Sequence, residues 1–343
     1  MMPKTEKTVG LNQLVSVGLP LAISFFALWL VFRKLDFQAL LSAFGQLSFG
    51  SVTLIVLCFL AGLLLRGITC WIIYDSKFSY ADVFWAMNLG YLLNSIVPLR
   101  LGEFGRAAFL SEKNSKNTSY MEVLAGIVAE RILDLLVGFC FLIACLLFLI
   151  DNVLLNRIAW VGLAGLAISI ILIILAAQNK EKTLSWLKTK FNSNLAQQKL
   201  IPAFNQLLIG FEVFLDPRRF LLAFVILAIS WSFSMVEYMI LQNVILSAWQ
   251  WWWPMLVIPA SAFVNALPAA PSGLGIYEAG SVGAYALVGV AKAPALAMSL
   301  VVHAVQIFIP AVFGVIALFL SGESLGSLTQ KATNFRQKRR EQV

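Results

Sequence analysis

Six apolar runs, 11–32, 51–74, 119–150, 157–177, 219–247 and 293–320, constrain this chain more than anything else in it. An α-helix of about 20 apolar residues crosses the hydrocarbon core of a bilayer, and only helices or closed barrels satisfy every backbone group there. The sequence therefore predicts an all-α, polytopic membrane protein with about six transmembrane helices. The run at 119–150 is long enough to begin as an interfacial helix before it crosses. Composition agrees: 60% of the 343 residues are apolar and 12% are charged, where a soluble domain carries about a quarter charged residues. No cleavable signal peptide is expected, because the first run is too long for one and lacks a small-residue cleavage site.

Two further apolar segments, 82–97 and 254–267, are too short to span comfortably. Each ends in a Pro/Gly cluster and leads into another short helical piece, which predicts two re-entrant helical hairpins. Non-helical backbone at membrane depth is tolerated only under protein cover or beside a water-filled cavity. The turns read alike. Asn94, Pro98 and Gly102 punctuate the first, with Glu103 next; Asn265, Pro268, Gly273 and Gly275 punctuate the second, with Glu278 next. A long run flanks each hairpin on both sides, giving units of about 51–150 and 219–320 inside one domain over 1–320, with a basic tail at 321–343. The second unit starts three spans after the first. That offset reverses direction, so the units are predicted to be inverted repeats. Interrupted apolar segments in corresponding halves are the best sequence pointer to a transporter binding site.

Lysine and arginine set the orientation. With both termini cytoplasmic and both hairpins re-entrant, nineteen of the 25 basic residues lie inside and four outside, Arg33, Lys34, Arg157 and Lys292; Arg66 and Arg131 fall within spans. Trp29, Trp160, Trp249 and Trp251 to Trp253 then sit near the outer interface, as belt residues do. The expected location is a bacterial-type plasma (inner) membrane, multi-pass. The basic stretch 178–200, with Trp186, is either a helix on an anionic leaflet or a solvated loop. The net charge of +8 points to that membrane surface and not to nucleic acid, because the basic residues are scattered over inside loops.

Ionisable groups at depth are costly and mark function by default. They are Arg66 in the second span, Glu130, Arg131 and Asp134 in the third, Glu237 in the fifth, and Arg100, Glu103, Arg106 and Glu278 at the hairpins. Glu130 and Asp134 share a helix face, and Arg131 reaches Asp134, which leaves Glu130 to be paired by Arg66, Arg100 or Arg106. Either a mobile charge network or a static one that holds the bundle fits this pattern. Arg100 and Arg106 flank a helix start, a place suited to a phosphate; Glu103 at the same turn offsets them and is positioned to pair with Arg106. Asn94 and Asn265 are read as caps of freed backbone groups. His303 is read as a packed polar residue. Cys58, Cys70, Cys140 and Cys145 have no metal or disulfide spacing. One histidine and no Walker loop leave no sign of metal, nucleophilic or ATP chemistry, so neither an enzyme nor a cofactor is expected.

The elements around Pro98 to Arg106, Glu130-Arg131 to Asp134, and Pro271 to Glu278 together resemble the flippase-like family named for the lysylphosphatidylglycerol synthase transmembrane domain, over roughly residues 15–320. The resemblance implies movement of lipids or lipid-linked sugars between leaflets. No lysylation is expected, because the resemblance covers the transmembrane region and not the soluble aminoacyl-transferase domain of the best-known members. The expected function is thus a translocase for an anionic phospholipid or lipid-linked glycan, working by alternating access. Arg66, Arg100 and Arg106 would bind substrate. Glu103, Glu130, Arg131, Asp134, Glu237 and Glu278 would form the gating network, with Glu237 the proton carrier if the cycle is ion-coupled. The alternatives are a transporter of a small soluble anion, a lipid-modifying membrane enzyme and an accessory subunit. Oligomeric state is left open.

Overall fold

The computed structural model describes residues 11–75, 77–96, 101–113, 118–149, 153–191, 193, 196–267 and 270–322. Among them are thirteen α-helices and no strand. Pro98, Arg100 and Pro268 lie outside the described residues.

The apolar runs become α1 (Leu11–Phe32), α3 (Phe49–Ile73), α6 (Tyr120–Leu149), α7 (Val153–Gln178), α10 (Pro217–Ile245) and α13 (Lys292–Ser321). Four of these, within α3, α7, α10 and α13, are long and apolar enough to cross a membrane. The other two of the six expected spans fall outside that set. In α1 the apolar stretch with described side chains is Leu21–Phe32, and the first half of α6 carries Glu122, Glu130, Arg131 and Asp134. Large apolar side chains cover the outer surfaces: Ile171, Leu172 and Leu175 on α7, Leu221 and Leu222 on α10, and Phe308, Val312 and Phe319 on α13 are all exposed. Water would penalise such a surface and lipid does not. The chain is a multi-pass membrane protein.

Helix starts follow local chemistry. Ser48 caps α3, accepting from the Ser51 amide at 3.1 Å. Asp216 caps α10 by accepting from the Arg218 amide at 2.9 Å, with Pro217 at the first helical position. Both are ordinary N-terminal signals. Between the long helices lie shorter ones that the runs do not announce, α2 (Phe37–Gly45) and α9 (Ile201–Gly210), which packs on α6. The basic stretch is helical as α8 (Lys180–Lys190), with Trp186 exposed.

The two short apolar segments form α4 (Tyr80–Ile96) and α11 (Trp253–Asn265), each followed across a turn by a second short helix, α5 (Gly102–Lys113) and α12 (Ile276–Leu287). The two four-helix units, α3 to α6 and α10 to α13, join through α3 and α10. Arg219, at the start of α10, donates to the carbonyls of Ile72 and Ile73 at the end of α3, and Ser230 Oγ donates to the Gly62 carbonyl at 2.8 Å. The helices are therefore antiparallel. Counted from Phe49 and Pro217, Gly62 and Ser230 are both fourteenth residues, so the crossing point is equivalent in the two helices. The hairpins then exchange partners. α4 packs on α13, and α11 packs on α6. Gly314 admits Leu92 and the Asn88 carbonyl in the first contact, and Gly138 admits Phe263 in the second.

Candidate functional site

Between the two units lies a cavity of about 500 Å³. Both hairpin turns reach it: Asn94 and Glu103 from the first, Asn265, Ser272 and Gly273 from the second. α3 adds Arg66, α6 adds Arg131 and Asp134, and α10 adds Ser230, Trp231 and Glu237. Tyr277 of α12 with His303, Gln306 and Pro310 of α13 close the remaining wall.

The turns are built by asparagines and glycines. Asn94 Oδ1 accepts from the Gly102 amide at 2.8 Å and so caps the start of α5, while its Nδ2 donates to Glu103 at 3.3 Å. Gly102 lies so close to the Gly90 carbonyl and to Asn94 that a Cβ there would overlap both. In the second turn Asn265 presses on Gly273 in the same manner. Ser272, Gly273 and Gly275 all have left-handed backbones, with φ of 59°, 73° and 89°. This is the region glycine enters without penalty.

Behind one wall is a charge cluster that draws on three helices. Glu130 is met by Arg106 Nη1 at 2.6 Å, by Arg131 Nη2 at 2.8 Å and by Arg66 Nε at 3.5 Å. Asp134 is held by Arg66, by Arg131 at 3.2 Å and by the Trp231 indole N–H at 3.3 Å. Three guanidinium groups thus share two carboxylates, a net charge of +1. Arg66 and Arg131 open onto the cavity. Arg106 does not. Expected at a phosphate, it is 3% exposed and absent from the lining. Gly102 and Arg106 are four residues apart and share a face of α5. Gly102 must face α4, so Arg106 points inward with it and meets Glu130. Glu103 lies on another face and pairs with Asn94, not with Arg106.

The acids on the lining are otherwise unneutralised. Among the described residues no basic side chain pairs with Glu103 or Glu237. Glu237 is 1% exposed, and its Oε2 has no hydrogen-bond partner. Glu278 sits behind the second turn, where Oε2 accepts from the Gly275 amide at 2.7 Å and Oε1 faces His303 Nδ1 at 2.6 Å.

Sequence reasoning missed the tyrosines and His303. Tyr91 and Tyr277 line the cavity, and Tyr277 joins Tyr238 by a hydroxyl contact of 3.1 Å. His303, read as a packed residue, is buried but ion-paired and on the lining. The usable signal was charge inventory: Glu278 had no partner named in the second unit, and the one histidine of the chain, His303, lies in the long run that follows it.

Residues 17–314 match the sequence model of a family described as the lysylphosphatidylglycerol synthase TM region. No curated protein and no solved structure matches the chain.

Proposed function

The chain belongs to the family of the lysylphosphatidylglycerol synthase TM region, and on that premise we propose that it is a translocase that carries the headgroup of an anionic phospholipid or lipid-linked glycan through the central cavity. Membership of this family supports a role in lipid handling. The observation that carries the finer reading is the cluster in which three arginines share two carboxylates and present Arg66 and Arg131 to a cavity bordered by both hairpin turns. One surplus positive charge suits one phosphodiester. A guanidinium grips phosphate oxygens through two parallel N–H donors. A diphosphate would bring further negative charge towards Glu103 and Glu237, so the charge balance favours a phosphodiester over a diphosphate-linked glycan. Arg100 joins Arg66 and Arg131 in this reading as a further phosphate contact.

In the proposed cycle the two inverted units take turns in opening. The hairpins are re-entrant and approach from opposite faces, with α3 and α10 as the antiparallel hinge between them. The membrane is a bacterial-type plasma (inner) membrane with both termini in the cytoplasm, a placement supported by nineteen basic residues inside against four outside. The reading contains no bond-making step and no cofactor.

Reconstitution tests it. Purified protein in liposomes is given headgroup-labelled phosphatidylglycerol, and the loss of signal to a membrane-impermeant quencher is followed. The protein is expected to speed transbilayer movement, and Arg131→Gln to slow it about tenfold, the worth of one charge-assisted phosphate contact. Arg131 is the choice because its side chain is 39% exposed, so its loss threatens the fold least. A parallel measurement of glycerophosphoglycerol uptake separates a soluble-anion carrier from a lipid one. No acceleration with any phospholipid, or uptake of the soluble diester alone, overturns the proposal.

A further inference from the structure

Each unit fastens its hairpin with one buried ion pair, and only one of the two pairs can lose a proton. In the first unit Arg106 on α5 reaches Glu130 on α6; in the second Glu278 on α12 reaches His303 on α13, both at 2.6 Å. Each pair ties the second helix of a hairpin to the long helix that follows. The order of charge is reversed between them, with the cation on the hairpin in the first unit and on the long helix in the second. Arginine keeps its proton at any physiological pH, whereas histidine is the side chain whose charge ordinarily changes near neutrality.

Hydrogen-bond geometry fixes the proton count of the second pair. His303 Nε2 faces the Ser272 carbonyl at 3.0 Å. A carbonyl only accepts, so Nε2 carries a hydrogen. His303 Nδ1 faces Glu278 Oε1 at 2.6 Å. Two bare lone pairs do not approach so closely, so a second proton lies between them. The other oxygen, Oε2, is already occupied by the Gly275 amide. The pair therefore holds two protons, the shared one being the one it can lose, and is neutral overall. With that proton gone, Nδ1 and Oε1 repel, and a net negative charge is left on residues that are 4% and 2% exposed. Burying such a charge is costly unless the surroundings move.

The part placed to move is the second turn. Ser272 has φ of 59°, a left-handed conformation that a non-glycine residue holds only when its surroundings impose it. The turn is held by the Gly273 amide bond to the Ala270 carbonyl, by the Ala270 amide bond to Ser24 and by His303, which meets the Ser272 carbonyl from α13; Ser272 lines the cavity. We propose that His303 and Glu278 form a proton-binding site, a latch that holds the second hairpin turn against α13 while the proton is bound and frees it when the proton leaves, with the first hairpin fixed throughout by Arg106 and Glu130.

Few other titratable groups surround the latch. Tyr277 stacks on the His303 ring, with centroids 4.2 Å apart, and its hydroxyl meets Tyr238, the neighbour of Glu237 on α10. α4 contributes Tyr91, α3 contributes Arg66, and across the cavity stand Glu103 on α5 with Arg131 and Asp134 on α6. α2 has none. Glu237 is the other acid on the same side among the described residues, and it makes no hydrogen bond or ion pair with His303.

The purpose of the latch rests on the transport reading; its test does not. His303 is the only histidine in the chain, so imidazole ¹⁵N labelling reports one residue in the full-length protein in lipid nanodiscs, purified through a histidine-free tag. The pH is raised from about 5 to about 10, a range that brackets ordinary histidine titration. A single transition of the ring is expected. Across it the amides of 270–276, corrected for intrinsic exchange, should exchange about tenfold faster, while those of 102–106 stay unchanged. Glu278→Gln reproduces the proton-bound pair, since its amide can donate to Nδ1 and accept from Gly275, and should leave the turn protected at every pH. A ring that titrates with no change at 270–276, or does not titrate in this range, overturns the latch. In liposomes a pH gradient should speed lipid movement by the wild type and not by Glu278→Gln. Lipid movement that ignores the gradient counts against the latch alone, and a working latch with no lipid movement counts against the translocase alone.

Discussion

Glu130 is the carboxylate on which three arginines converge, and it is 1% exposed. Removing one member of a buried charge group is more damaging than never having built it, because the partners stay buried and unpaired. Glu130→Gln raises the cluster from +1 to +2 and is expected to cost about 3 kcal/mol of stability, read as a lower midpoint of thermal unfolding in detergent. Arg131→Gln, at the accessible edge of the same cluster, should leave that midpoint near the wild-type value and act on transport instead. The contrast separates the static, bundle-holding role of the network from its role at the cavity. Lys292 illustrates how a single charge serves the fold alone: its ammonium donates to the Leu30 and Arg33 carbonyls at 2.9 and 3.1 Å, satisfying the C-terminal end of α1, where helix carbonyls lack partners and the dipole is negative.

Among the elements, the hairpins depend on contacts with the opposite unit. α4 has no long helix of its own unit as its principal neighbour; it lies on α13, where Gly314 makes room for Leu92 and the Asn88 carbonyl. Close approach of this kind at small residues drives helix association in lipid, where burial of apolar surface contributes little. Gly314→Leu should force α4 from α13 at a cost of about 2–3 kcal/mol for an overpacked contact. Limited proteolysis should then cut at 101–106 faster than in the wild type, with the turn at 270–276 unaffected. Pro310, on the cavity side of α13, lacks the N–H that would continue the helix ladder. It lies two turns from His303, so the proposed latch and the irregularity in α13 act on one stretch of helix.

At the scale of the whole molecule, α3 and α10 run antiparallel, and under the proposed inversion of the two units the orientation in the membrane follows once one loop is placed. Single cysteines at Arg33 and at Lys188, in a background with the four native cysteines replaced by alanine, test that placement. An impermeant maleimide should label Arg33→Cys from outside intact cells and Lys188→Cys only after permeabilisation, and the opposite pattern would invert the orientation. Much of this architecture was legible in the chain. The ends of α4 and α11 fall within about two residues of the short apolar segments, because a bilayer demands helices and Asn, Pro and Gly stop them in ways that are local. The equivalence of the two turns was legible for the same reason. Which buried charges meet was not. Arg106 faces Glu130 and not the cavity because of its rotation about α5, set by the contact of Gly102 with Gly90. Glu278 found its partner in His303, 25 residues away, across a helix pair whose phase no local pattern encodes. Sequence alone determined that this chain would be a bundle of membrane helices broken twice at matching places, since lipid penalises every unsatisfied backbone group wherever it occurs. Tertiary structure alone decided which ionisable groups line the cavity and which stay locked behind it, since side-chain pairing depends on the depth and rotation of helices packed against one another, and nearly uniform apolar faces leave both unmarked.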